Sequence, residues 1–152
     1  MNTNRETAAA FVKGNTANAG HLFSTVWGLY SYATKIAKHT TTKRGEDVIL
    51  LTVTDYSATT IRHKSHTRAE AYRQGVYMFE VPNIEATTEE EHRANLAHLS
   101  EQTEQAKRRE ERARKESTKE QAHRVWIRAS NTAFKYYTLF VRPFDAEREN
   151  QE

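Results

Sequence analysis

The chain has 152 residues, enough for one domain with a buried core. It contains no cysteine, which excludes disulfides and thiolate metal sites. With 37 % hydrophobic and 28 % charged residues, and only 5 Gly and 2 Pro, it is polar without the composition of a disordered protein.

The net charge of +3 conceals a partition. Residues 85–106 carry six acidic side chains against one basic, and residues 107–128 carry nine basic against four acidic. The N-terminal stretch MNTNRETAAAFVKG has no apolar leader core, and no later window approaches the roughly 20 apolar residues of a membrane helix. The expectation is a cytoplasmic protein, working in a host cell, with no membrane partner.

In chain order, FVKGNTANAGHLFSTVWG reads as a short strand or irregular segment, on account of its glycines and Asn/Thr pairs. LYSYATKIAKHT, residues 29–40, reads as one strand with Tyr30, Tyr32, Thr34, Ile36 and Lys38 on one face. The polar, Gly-containing TTTKRGED then turns into DVILLTVTDYS, a second strand over 47–57, so that the two make an antiparallel hairpin with Ile36, Leu50 and Val53 in its core. SHTRAEAYRQG reads as one short helix, capped by Ser65 or Thr67 and ended by Gly75. VYMFEVPN alternates as a third strand closed by Pro82.

From Thr88 the sequence is helical, with no Gly or Pro as far as Trp126 and with acidic residues early and basic residues late, as the helix dipole favours. Its apolar stripe is thin, so charged pairs such as Glu104–Arg108 and Glu111–Lys115, or a partner helix, are expected to hold it. RVWIRASNTAFKYYTLFVRPF fits a second amphipathic helix, although FKYYTLFV also has strand propensity. The expected architecture is α+β: a β-rich domain with a short helix over 1–84, a helical extension docking back on the sheet over 85–144, and a polar tail over 145–152.

The densest run of reactive side chains is DYSATTIRHKSHTRAEAYRQG. Hydroxyls at Thr34, Thr59 and Thr60, cations at Arg62 and Lys64, and imidazoles at His63 and His66 suit a phosphate-bearing ligand, and Tyr32 and Tyr56 can stack on unpaired bases. Arg62, His63 and Lys64 are expected just beyond a strand end and outside the core. Further along, Arg108, Arg109, Arg112 and Lys115 in KRREERARKESTK supply contacts to nucleic-acid phosphates, diluted by interleaved glutamates.

Enzyme readings find less support. His39-Thr40-Thr41 and His63-Lys64-Ser65 each have the H-x-T/S form of two-histidine phosphoesterases, but they lie too close in sequence and lack the apolar residue that follows within each strand. Asp55, His63 and His66 are metal-capable side chains without a metal motif, and no dinucleotide, P-loop or serine-hydrolase motif occurs. No catalytic residue, metal or cofactor is therefore assigned.

Ser31, Tyr32, Thr34, Ile36 and Ala37, followed by Tyr56, Ser57, Thr59, Thr60 and His63, form the pattern S-Y-x-T-x-I-A and Y-S-x-T-T-x-x-H. This resembles a family of small uncharacterised proteins of bacteriophages and mobile elements, over about residues 19–66. The resemblance implies a phage-type accessory protein and carries no activity with it. The leading expectation is non-catalytic binding of nucleic acid or another phosphorylated ligand. The alternative is a protein-interaction module that forms a homo-oligomer through its long helix, acidic half against basic half, and inhibits a host protein.

Overall fold

A computed structural model describes residues 1–151 and shows an α+β protein whose chain divides into two compact units after Glu85. In the first, α1 (Asn4–Val12) precedes a sheet of six strands: β1 (Ala17–Asn18), β2 (Leu22–Thr25), β3 (Gly28–Ser31), β4 (Thr34–Thr41), β5 (Asp47–Thr52) and β6 (Tyr77–Val81). The strands lie in sequence order, antiparallel from β1 to β5. The last pairing, β5 with β6, is parallel. A parallel pair needs a crossover, and α2 (Ala58–Gln74) supplies it. The sheet is therefore mixed where an antiparallel one is expected from the hairpin signals.

Three local readings are corrected. The segment 29–40 is two strands, because Tyr32 sits in the left-handed region at φ 56° and turns the chain between β3 and β4. β5 stops at Thr52, and α2 begins at Ala58, seven residues before Ser65. The cap is Ser57, whose Oγ accepts from the Thr60 amide at 3.2 Å, so Thr59, Thr60, Arg62, His63 and Lys64 are helical. The expected stop holds: Gly75 is left-handed at φ 70° and ends the helix. Thr3 and Glu6 form a capping box that starts α1, a T-x-x-E signal that the composition of the N-terminus obscures.

The core of this unit joins Phe11 and Val12 of α1, Leu22, Leu29, Ile36, Ala37, Ile49 and Leu51 of the sheet, and Ala71 of α2. β5 is buried along Val48, Ile49, Leu50 and Leu51, which explains why it reads as a continuous apolar run without alternation. Val53 lies beyond its end and is half-buried. Gly28 marks a close approach at the β3–β4 irregularity: a Cβ there would lie 2.5 Å from the Ala37 carbonyl.

The second unit is helical: α3 (Glu89–Arg112), α4 (Glu116–Tyr136), a π-helical turn (Tyr137–Val141) and α5 (Arg142–Gln151). Thr88 and Glu91 form the capping box at the expected start. The single long helix expected from Thr88 is broken by Ala113–Lys115, with Ala113 extended at φ −68° and ψ 133°. The break has a packing reason. A rod would leave the thin stripe of Leu99 and Ala106 in water, and folding α4 back along α3 buries both.

Glu110 then faces His123 near the turn, and His92 and Asn95 meet Tyr136 at the other end. The π-helical turn precedes Pro143, which has no N–H to give the preceding turn; the Arg142 amide reaches Tyr137 instead. The strand alternative for residues 125–141 is thereby excluded. Residues 145–151, read as a polar tail, continue α5, and Asp145 and Arg148 pair there with Arg93 and Glu89 of α3.

The Tyr136 phenol is a buried junction. Asn95 Nδ2 donates to it at 3.0 Å, and its O–H is placed 2.8 Å from His92 Nδ1. Burial lowers the His92 pKa and pushes the phenol up to about 12, so a neutral ring meets a neutral hydroxyl. Tyr136→Phe keeps the ring and removes both bonds. It should cost about 1–3 kcal/mol, the penalty of unpaired buried polar groups, measured by denaturant unfolding.

Candidate functional site

Two places in the molecule hold the residues that the sequence singles out. The first surrounds the start of α2. Ser31, at the end of β3, lies 2.7 Å from His63 Nδ1 and 3.2 Å from Thr60 Oγ1, which in turn lies 3.2 Å from Ser57 Oγ. The motif residues Ser31, Ser57, Thr60 and His63 are thus one hydrogen-bonded chain that ties the β3–β4 turn to the first turns of α2. Ser31 is 2 % exposed and His63 1 %. A hydroxyl and an imidazole in contact resemble a nucleophile and its base, but at this burial neither is open to a substrate.

Lys64 is buried as well, with its side chain 0 % exposed. Its Nζ donates to Asp55 at 2.8 Å and to the Val53 carbonyl at 3.4 Å, and pairs with Glu80 at 2.6 Å. Arg68 joins Glu80 at 3.1 Å. The hydrogen bond from Lys64 holds the Asp55 carboxyl below its ordinary range. Lys64 therefore stitches α2 to β6 and to the loop before the helix. The expectation that His63 and Lys64 lie outside the core is overturned, because the helix starts early and turns both inward.

What remains open to ligand is a different subset. Arg62, Tyr32 and Tyr56 are exposed, and Thr34, Thr59 and His66 are half-buried. Tyr32 stacks on His21 with ring centroids 4.5 Å apart. Tyr32 and Tyr56 are the two non-glycine residues with positive φ among the described residues, at 56° and 58°. Such backbone costs about 1–3 kcal/mol per residue and persists where the surroundings impose it, here the hydrogen-bonded chain below.

His63 carries a depressed pKa, from burial first and then from the nearby charges of His66, Arg62 and His21. Unfolding returns it to its ordinary value near 6.5. Between that value and the lower folded one, the unfolded chain holds the extra proton, so stability should fall as pH drops below about 6.5. His92 contributes in the same direction. The lowered carboxyls of Asp55, Glu70 and Glu85 act only at more acidic pH. Thermal melts at pH 7.5 and 5.5 should show the loss, and His63→Asn should make it shallower.

His39 has separate partners, Asp47 at 3.0 Å and the Phe11 carbonyl at 2.6 Å, so the two H-x-T/S histidines do not share a set of contacts. Asp55 is engaged by Lys64, and no grouping of three metal-capable side chains occurs among the described residues.

The second place is the turn of the helical hairpin. Arg108, Arg109 and Arg112 end α3, Arg114 and Lys115 form the connection, and all five are exposed. None of them makes an ion pair among the described residues. Two nearby glutamates are occupied: Glu110 by His123 at 2.8 Å and Glu120 by Arg124 at 3.8 Å. Glu111 and Glu116 stay exposed among the cations and dilute their field, as the sequence suggests.

Sequence reasoning missed the exposed apolar side chains of α4, Ile127 and Phe134, which lie seven residues apart on one helix face. Their i, i+7 spacing was the available signal. No helix among the described residues is long and apolar enough to cross a membrane. Comparison of the chain with protein-family models, curated proteins and solved structures finds no match.

Proposed function

We propose that this is a phage-type accessory protein that binds nucleic acid, without catalysing a reaction on it, through the basic turn of its helical hairpin. The observation that carries the reading is the cluster of Arg108, Arg109 and Arg112 at the end of α3 with Arg114 and Lys115 in the connection, all exposed and without an ion pair among the described residues. Unpaired guanidinium and ammonium groups gain most from phosphate, and neutralising phosphates releases counterions. The burial of Ser31 and His63 supports binding over catalysis. Exposed Tyr32, Tyr56 and Arg62, with half-buried His66, offer a second contact, by stacking and charge.

Replacing Arg108, Arg109, Arg112 and Lys115 together by Gln should weaken oligonucleotide binding about tenfold or more at low salt, and should flatten the dependence of affinity on salt. Arg62→Ala with His66→Ala tests the α2 face separately. Affinity that is insensitive to salt in the unaltered protein would remove the reading.

A protein-interaction module, assembling through its helices and acting on a host protein, is the second reading. Phe134, at 67 % exposure, and Ile127 favour it, since a large apolar pair on one helix face suits a partner surface. Light scattering of the protein and of a Phe134→Glu variant decides this: a monomer at every concentration argues against self-assembly.

A further inference from the structure

An open pocket of about 510 Å³ lies at the turn between α3 and α4, within the roughly 300–1,000 Å³ range of small-ligand sites. Its apolar lining is Ala106, 3 % exposed, the half-buried Ala113 and Ala122, and Val125, which is 42 % exposed. Arg109 and Arg112, three residues apart on one face of α3, line the same pocket while remaining exposed. Ser117 and Thr118 add hydroxyls from the first turn of α4. The space exists because the facing positions here are alanine, serine and threonine, whereas Tyr136 and Phe140 fill the other end of the hairpin.

We infer that this pocket holds one nucleotide unit, with its phosphate on Arg109 and Arg112 and its base against the alanines and Val125. The inference rests on the nucleic-acid reading and deepens it: the basic turn then grips an unstacked nucleotide and does more than attract a polyanion. An arginine pair presents forked donors that match phosphate oxygens. The apolar part of the lining suits one face of a base partly removed from water. The same chemistry can come from a strand or from a free nucleoside monophosphate.

The test uses the full chain and three probes: a single-stranded oligo-dT, an abasic strand of equal length and charge, and AMP. The dT strand should bind at least tenfold more tightly than the abasic strand. Ala122→Phe, which puts a ring where the base would lie without altering charge, should abolish that difference and leave the abasic strand unaffected. Val125→Trp, on the same lining, should act in the same way, and melting curves establish that either variant is folded. Arg109→Gln with Arg112→Gln should weaken both strands.

Equal binding of the two strands, lost on arginine replacement, would overturn the nucleotide pocket and leave the charge-driven reading standing. Ala122→Phe without effect on the dT preference would overturn it too. AMP binding that Ala122→Phe removes, without strand binding, would keep the pocket, identify a free nucleotide as its occupant and overturn the nucleic-acid reading. Binding of none of the three probes would overturn both.

Discussion

Replacing both Asp55 and Glu80 by alanine is expected to destabilise the sheet-bearing unit by about 3–5 kcal/mol, because it leaves the Lys64 ammonium buried with no opposing charge. Lys64 is wholly enclosed, whereas Asp55 and Glu80 have side chains 61 % and 36 % exposed. The cost is therefore asymmetric. Lys64→Met removes the charge and keeps the stem, and the two carboxylates left behind can turn to water, one of them still beside Arg68. That variant should change stability by less than about 1.5 kcal/mol in either direction. Urea unfolding of the two variants checks the pair. A cost below about 1 kcal/mol for the double acidic replacement would mean that the ammonium reaches water and that its burial in the structure is wrong.

The second large effect lies in the core. Ile36→Ala and Ile49→Ala should each cost about 2–5 kcal/mol, since both side chains are fully buried in the cluster that joins α1, the sheet and α2. Val53→Ala should cost about 1 kcal/mol or less, because Val53 lies past the end of β5 and keeps contact with water. Leu50 belongs with the isoleucines by burial. The ordering is the informative part. Val53 costing as much as Ile49 would mean that the strand runs on toward Ser57, and equal small costs at all three would mean that the sheet is not packed as described.

The sequence by itself determined whatever depends on a few neighbouring residues. The apolar run of β5, the alternation of β6 closed by Pro82, the left-handed Gly75 and the Thr88–Glu91 box were all legible, because their causes are local: burial pattern, backbone freedom and capping. Local chemistry was also where the reading slipped by a few residues. Ser57, Ser65 and Thr67 are equivalent caps in sequence, and only the fold, in which α2 is the crossover from β5 to β6, selects Ser57.

Tertiary structure alone decided which charged and polar residues are interior. His63 and Lys64 are adjacent to exposed Arg62, and nothing in their chemistry separates them. The pitch of a helix that starts at Ala58 does, by turning the first two toward Ser31 and Glu80. The hairpin break has the same origin. Ala113–Lys115 contains no breaker, and the chain bends there because two helices with thin apolar stripes bury more against each other than one rod buries alone. The pocket beside Arg109 and Arg112 is a consequence of that bend, so no single helix could have revealed it.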